Sequence, residues 1–309
     1  MVYDLIIIGS GAAGLAAGLY ARRYQMKTLV VTGEFGGETA TAGSIENYPG
    51  VLSIDGYDLM KTMKDQVEAL GGEVREGWVK EIKKQGHFFS LTTDTDTVQA
   101  RTLILAIGAK RRHLGLPKEK ELTGRGVHYC TTCDGPLYGG KTIAMVGGGD
   151  SSVKGVNFLA EYAKKIFFIV RGKEIVAEPI NRKQMETLGN KVEILLETEV
   201  KEIIGEQKLE KVILSKPYKG STELVLDGLF VEIGFDPDQT FAKQLDIALD
   251  EHGYLKVDNL MRTNVPGVFG SGDGTNFFGR FKQDITAAAL GSVAATSAYE
   301  YYKTLDIQQ

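Results

Sequence analysis

The sequence predicts an α/β protein built from two Rossmann-like dinucleotide-binding domains, the second inserted into the first. Three observations lead to that reading. Two glycine-rich loops, Gly9-Ser10-Gly11-Ala12-Ala13-Gly14 and Gly147-Gly148-Gly149-Asp150-Ser151-Ser152, each follow a short apolar run. The chain has 309 residues, too many for one ordinary α/β domain and comfortable for two. A third apolar segment, ending on Gly272-Asp273, comes only after the second loop, so the chain leaves the first domain, builds the second and returns. The expected boundaries are 1–113 with 246–309 for the outer domain and 114–245 for the insert.

Each element follows from its residues. Residues 4–8 are apolar on both faces, as a buried parallel strand requires. The first glycine loop comes next, then an alanine- and leucine-rich helix over 15–24 and a strand over 28–31. Strand, G-x-G-x-x-G, helix and strand within about thirty residues form a dinucleotide-binding unit. Its glycines permit a tight turn, and the helix N-terminus offers free N–H groups to a pyrophosphate. The acidic residue that often ends the second strand to hold a ribose is missing, because Glu34 comes only after Thr32-Gly33. Residues 57–69 carry apolar positions at helical spacing, and 78–91 with 98–106 read as a β-meander and a return strand. The second unit repeats the pattern with a strand over 141–146, a helix to about 162 and a strand over 165–170; Ser152 takes the third small-residue place. Further strands follow within 201–233. Residues 264–273 read as a strand ending on an Asp, and 284–302 as a final helix rich in small residues.

Composition narrows the function. Thirty-six basic against 40 acidic side chains leave a net charge of −4, which gives no basic surface for nucleic acid and no polybasic membrane tail. The apolar run 5–8 is far too short for a secretory signal, and no stretch is apolar enough to span a bilayer. Lys110-Arg111-Arg112, just before the expected crossing at 113–117, reads as a solvated loop, with contact to a phosphate or an acidic protein as the alternative.

The only two cysteines stand together in Cys130-Thr131-Thr132-Cys133-Asp134-Gly135. At C-x-x-C spacing they close a small ring on oxidation and can cycle between dithiol and disulfide with little backbone movement. A structural zinc needs four ligands, and the four histidines (87, 113, 128, 252) are scattered. Haem attachment needs His after the second Cys, where this chain has Asp134. A redox pair in a reducing, cytoplasmic compartment is the reading that remains ahead.

The order of Gly9-x-Gly11-x-x-Gly14, Glu46-Asn47-Tyr48-Pro49-Gly50, Cys130-x-x-Cys133-Asp134, Gly147-x-Gly149 and Gly272-Asp273 resembles low-molecular-weight thioredoxin reductases across essentially the whole chain. The resemblance implies a homodimeric flavoprotein of three-layer ββα domains, with FAD in the outer domain and a pyridine nucleotide in the insert. By the same resemblance Gly9, Ser10, Gly11, Ala13 and Gly14 cradle the FAD pyrophosphate. Thr32, Gly33, Gly37 and Glu38 lie along the adenosine side, Glu38 replacing the family's usual Gln. Asn47, Gly272 and Asp273 reach the ribityl chain or flavin, and Lys282-Gln283-Asp284 stands where the family has Arg-Gln-Ala. It further implies that Cys133 faces the flavin, that Cys130 attacks the partner's disulfide, and that Asp134 moves the thiol proton. The partner would be a thioredoxin- or glutaredoxin-like protein.

Departures gather in the second nucleotide site, for which Gly147, Gly149, Ser151, Ser152 and Arg171 are the expected residues. The family's Glu-Glu pair after the loop is Lys154-Gly155 here, and Gly155 costs a helix up to about 1 kcal/mol relative to Ala. NADPH-using relatives end the next strand with His-Arg-Arg and add an Arg four residues on. This chain has Val170-Arg171-Gly172 and Val176, with Lys173 beside them and Glu174 too late to select NADH. One Arg is a weak site for a dianionic phosphate. The expectation is an FAD-dependent disulfide reductase for which NADPH and NADH are both uncertain and ferredoxin or another non-nicotinamide donor stands open. The alternatives are a flavin-dependent dithiol oxidase and a non-catalytic flavin-binding scaffold.

Overall fold

The computed structural model describes residues 2–279 and 281–306. They form two compact units: one made of the chain up to Lys110 and again from Asp236, the other of Arg111–Phe235. The first crossing lies close to the expected 113. The second lies ten residues ahead of the expected 246, for a packing reason. Phe241, Ala242 and Leu245 sit in the outer unit's core beside Phe89 and Leu91, and Gln244 Oε1 accepts from the Ile82 N–H at 2.7 Å.

In the outer unit the strand Val2–Ile8 pairs in parallel with Thr28–Thr32 on one side and Thr97–Leu105 on the other. Flanked on both edges and covered on both faces, its Leu5, Ile6 and Ile7 are fully buried, which accounts for the unbroken apolar run. Glu73–Glu76 extends the sheet beyond Thr28–Thr32. The strand Thr97–Leu105 forks. Its first half pairs antiparallel with Phe88–Thr93 of the meander, and its second half pairs in parallel with Val268–Gly270. That returning strand is shorter than the expected 264–273; Asp273 lies beyond it in a 3₁₀ turn, Gly272–Gly274.

Gly56–Ala69 covers one face of this sheet together with two further helices, Ala12–Arg23 and the 23-residue Asp284–Asp306. The last two meet through small residues, with Ala13, Ala16, Ala17, Ala294, Ala295 and Ala298 all in one buried cluster. A Cβ on Gly291 would stand 2.1 Å from the Ala13 carbonyl oxygen, so the two backbones are in direct contact there. Farther along, Tyr24 and Tyr299 stack at 4.7 Å and the Tyr24 hydroxyl meets Thr296 Oγ1 at 3.1 Å. Among the described residues no helix is long and apolar enough to cross a membrane.

The inserted unit carries a five-stranded parallel sheet in the order Val127–His128, Gly228–Glu232, Thr142–Gly147, Lys165–Ile169, Val192–Leu195. Val153, Val156 and Leu159 of the helix Asp150–Leu159 join Met185 in the core on one face. A three-stranded antiparallel sheet over Val200–Ile204, Lys211–Tyr218 and Ser221–Val225 supplies Val200, Val212, Leu214 and Leu224 to the core on the other. Both units therefore layer helices and antiparallel strands on a parallel sheet.

Gly291→Ala should reverse the usual helix preference. Alanine gains up to about 1 kcal/mol in an exposed helix, but here its Cβ collides with fixed backbone, so a net loss of roughly 1–3 kcal/mol is expected. Urea unfolding measures it; a more stable variant would mean that the two helices do not touch at this point.

Candidate active site

The first glycine loop sits where the strand Val2–Ile8 delivers the chain to the helix Ala12–Arg23. Gly9 has φ +106°, and a Cβ there would stand 2.2 Å from the Ala106 carbonyl oxygen. A Cβ on Gly14 would stand 1.8 Å from the Gly9 oxygen, so the helix starts against the turn itself. Gly11 is different: a Cβ there would meet nothing nearer than the Gly36 oxygen at 3.8 Å, and its flank is an open cradle that a side chain would fill. Gly11 caps the helix with no side-chain hydrogen bond and the first turn holds no acid, so the N-terminal N–H groups suit an anion. The buried Ser10 hydroxyl contacts Thr32 Oγ1 at 2.9 Å and accepts from the Gly36 N–H at 3.0 Å, which fixes the loop to its neighbours. Gly37 lies across from Gly11, and Glu38 follows it on the surface. At Gly33 a Cβ would run into the Trp78 ring at 2.3 Å; this glycine makes room for an indole.

Residues far apart in sequence converge at the start of the last helix. Asn47 Nδ2 donates to Gln283 Oε1 at 2.9 Å, and Thr39 Oγ1 donates to Asp284 Oδ1 at 2.6 Å. Lys282 Nζ donates to the Thr275 carbonyl at 2.6 Å and stands 4.6 Å from the Tyr254 ring centre. Burial pushes the Asp273 carboxyl up to about 6, with Asp284 adding to the rise and Lys282 opposing it. Burial likewise lowers the Lys282 ammonium, against the pull of Asp273 and Asp250.

In the inserted unit Cys130 and Cys133 form a disulfide with Cα atoms 5.3 Å apart. The turn Thr131–Asp134 begins on Cys130, whose sulfur accepts the Cys133 N–H at 3.2 Å and lies 3.4 Å from Thr132 Oγ1. Cys130 is half-buried and Cys133 exposed within this unit. Asp134 Oδ2 lies 3.0 Å from Nδ1 of the buried His128, whose Nε2 is 2.6 Å from the Tyr138 hydroxyl. Sequence reasoning missed His128 and Tyr138. Their signal was present, a His two residues before the first Cys and a Tyr four after Asp134, but it acquires meaning only when the turn folds over the strand end. Gly155, read from sequence as a cost to its helix, has a use: a Cβ there would stand 2.7 Å from Met145 Cε in the core and 2.9 Å from Cγ2 of Thr131, which lies between the cysteines.

The second glycine loop keeps the form of the first. Gly147 touches the Glu232 carbonyl, Gly149 is open and caps the helix without a side-chain bond, and Ser152 Oγ donates to the Gly149 oxygen at 2.7 Å. Its surroundings differ. Asp150 stands in the helix's first turn and accepts from Glu178 N and Asn181 Nδ2, both at 2.9 Å. Burial raises that carboxyl, yet Asn181, the Glu178 N–H and Lys154 together hold it below its ordinary range. The Val176 N–H donates to the Gly148 oxygen at 2.8 Å, which lays the loop after the strand Lys165–Ile169 against the glycine turn. Ser151 and Arg171 are exposed, and Val176 and Ile180 show their side chains to solvent nearby. The basic run is engaged within each unit: Lys110 pairs with Asp238 at 2.8 Å, Arg111 with Glu232 at 3.1 Å, and Arg112 donates to the Phe235 carbonyl.

Residues 3–294 match the family model of pyridine nucleotide-disulphide oxidoreductases. A thioredoxin reductase of Mycolicibacterium smegmatis is 38% identical over 309 residues, covering 99% of this chain and 98% of that one. The crystal structure of Lactococcus lactis thioredoxin reductase superposes with a TM-score of 0.91 at 34% identity, over 98% of this chain and 99% of that one. The chain belongs to the low-molecular-weight thioredoxin reductase family. It is a flavoprotein oxidoreductase of that type with a C-x-x-C redox disulfide. A ferredoxin-flavin thioredoxin reductase of Clostridium acetobutylicum is also similar, at 32% identity and a TM-score of 0.53 over 98% of this chain and 99% of that one.

Asp273 makes the fold sensitive to pH with a definite sign. Its folded value near 6 exceeds its ordinary 3.8, so between these the folded chain holds the proton that the unfolded chain has lost. Stability from this group is complete below about 4 and gone above about 6, a loss on the order of 3 kcal/mol at ~1.4 kcal/mol per tenfold. Relative to Asp273→Asn, the cofactor-stripped parent should therefore weaken as pH rises from 4.5 to 7.5. Urea unfolding of both proteins at the two pH values reads the difference; an unchanged gap would mean that this carboxyl is well solvated.

Proposed function

We propose that the chain is an FAD-dependent disulfide reductase of a thioredoxin- or glutaredoxin-like protein, working as a cytoplasmic homodimer and drawing electrons from a donor other than NADPH. FAD fits the outer unit on the open backbone cradle at Gly11, the uncapped helix N-terminus and the cluster of Asn47, Asp273, Lys282, Gln283 and Asp284. When bound, FAD would supply the two electrons that reduce the Cys130–Cys133 disulfide.

The chain's own residues then move sulfur and protons. The Cys133 N–H and the Thr132 hydroxyl at Cys130 Sγ favour a thiolate there. Cys130 attacks one sulfur of the partner's disulfide, a bond forms between them, and the partner's own S–S bond breaks. The proton given up by Cys130 passes through Asp134 to the leaving sulfur. Cys133 then attacks Cys130, the internal disulfide re-forms, and its proton follows the same route to the partner's second sulfur. The partner gains two electrons and two protons, and the pair gives up the same.

The donor half of the proposal rests on one observation. The residues around the second glycine loop that would grip a 2′-phosphate reduce to Arg171, with Val170, Gly172 and Val176 in the other places and ionised Asp150 in the first helical turn. Each charge-assisted hydrogen bond lost costs about 1.5–3 kcal/mol, so losing several weakens NADPH by orders of magnitude. A similar protein described as a ferredoxin-flavin thioredoxin reductase supports a ferredoxin-type donor.

Anaerobic stopped-flow reduction by NADPH, NADH and reduced ferredoxin in turn tests this. Slow, unsaturated reduction by both nucleotides and fast reduction by ferredoxin are expected; saturation at micromolar NADPH would overturn the donor assignment. Gly172→Arg with Val176→Arg should raise the preference for NADPH at least ~10-fold by restoring phosphate contacts. Both positions are exposed, and a Cβ on Gly172 would stand 3.3 Å from the Glu174 oxygen and 3.8 Å from its nitrogen, a tight fit that asks the surface loop to give by a few tenths of an ångström.

The division of labour between the sulfurs has its own check. Cys133→Ser should accumulate a mixed disulfide with oxidised thioredoxin, because the second attack is lost, and Cys130→Ser should not. Non-reducing gels and intact mass would show it, and the opposite pattern would exchange the two roles.

A further inference from the structure

We infer that His128 is a positioning residue for the proton transfer at Asp134, held in one tautomer by Tyr138. The inference rests on the reading of Asp134 as the group that carries the thiol proton. Three side chains form an unbroken line in the inserted unit: Tyr138 hydroxyl to His128 Nε2 at 2.6 Å, and His128 Nδ1 to Asp134 Oδ2 at 3.0 Å. His128 and Tyr138 are buried, and Asp134 is partly exposed beside the disulfide, so the line runs from the core to the redox pair.

Chemistry decides which way the hydrogens point. The imidazole is 4% exposed, stacked on Phe230 at 5.2 Å and packed edge-on against Tyr138. Burial holds it below its ordinary value, against the opposing pull of Asp134, and so keeps it neutral near pH 7. A neutral imidazole has one N–H, and a carboxylate can only accept, so the N–H is at Nδ1. Nε2 is then an acceptor and takes the Tyr138 proton. Burial, with Asp134 and Asp227 nearby, pushes the Tyr138 hydroxyl up to about 12, which keeps it a donor. The other charged group against this line, Lys141, lies 5.1 Å from the Tyr138 ring centre and reinforces the phenol's place.

The consequence is division of labour within one carboxylate. Oδ2 is occupied by His128, which fixes the group's rotation, and Oδ1 is left to take a proton from a cysteine sulfur and return it to the departing one. The line adds no net proton to the exchange. It shortens the search for geometry at the moment of transfer.

The leaving group provides a readout that a merely structural role would not move. An aromatic disulfide leaves as an unprotonated thiolate and needs no acid, whereas an alkyl disulfide leaves as a basic thiolate that does. The flavoprotein is reduced with dithionite, freed of excess, and mixed anaerobically with 5,5′-dithiobis(2-nitrobenzoate) or with hydroxyethyl disulfide. Loss of the two alkylatable thiols is followed by mass. His128→Phe should slow the alkyl reaction ~10-fold or more and the aromatic one less than ~2-fold. His128→Asn, which can keep an N–H toward Asp134, should recover most of the rate. In an Asp134→Asn background His128→Phe should cost little more, because the group it positions is gone. Equal loss with both disulfides, or full loss in the Asp134→Asn background, would overturn the inference and leave His128 a packing residue. If Asp134→Asn itself left the alkyl rate intact, the reading of Asp134 would fall, and the role of His128 with it.

Discussion

The rest of the outer unit depends on backbone meeting backbone. A Cβ on Gly9 would strike the Ala106 oxygen, one on Gly14 the Gly9 oxygen, and one on Gly291 the Ala13 oxygen. These close approaches bring the N-terminus of Ala12–Arg23 against the sheet on one side and draw Asp284–Asp306 onto its flank. Two consequences follow for the site. The uncapped N–H groups lie beside an open cradle at Gly11, and Gln283, at the start of the last helix, is brought to Asn47. Each of these contacts excludes even a methyl group.

The inserted unit uses the same device for another end. Gly147 packs on the Glu232 carbonyl and Ser152 turns its hydroxyl back onto the loop, which preserves a nucleotide-type turn. Gly155, one turn further, lets the helix approach Thr131 and so presses the redox turn onto the helix that the loop begins. Ala would improve the helix by up to about 1 kcal/mol and push on Thr131, so the local cost supports the position of the disulfide. The retained glycines therefore do not by themselves report a working nucleotide site. Asp150, tied to Glu178 and Asn181, and the loop bonded through Val176 to Gly148 give this helix N-terminus a different electrostatic character from the first.

Buried and partly buried ionisable groups occur in both units. Asp273 and Lys282 are both pushed toward their neutral forms by burial. His128, also buried, is kept neutral and therefore able to hold Asp134 with one N–H and accept from Tyr138 with its other nitrogen. A positively charged imidazole would instead form an ion pair with Asp134 and lose the Tyr138 donor. Burial of each group costs the folded chain something.

Much of this was legible in the chain. The double strand–loop–helix pattern, the inserted order, the C-x-x-C with its Asp and the small-residue final helix are local signals, and local signals survive in a one-dimensional string. The family they indicated is the one that the full-length similarities show. What the string could not contain is distance. Residues 236–245 read as part of the insert until Phe241 and Leu245 are seen in the outer core. Trp78 fills the place a Cβ on Gly33 would take, and Gly155 read as a cost to its helix until Thr131 is seen against it. His128 was one of four scattered histidines until strand, turn and 3₁₀ helix set Asp134 and Tyr138 on its two nitrogens. Periodicity and motif spacing determine which elements form and which chemistry is available. Only packing decides which side chains lie within hydrogen-bonding reach, and proton transfer depends on that reach.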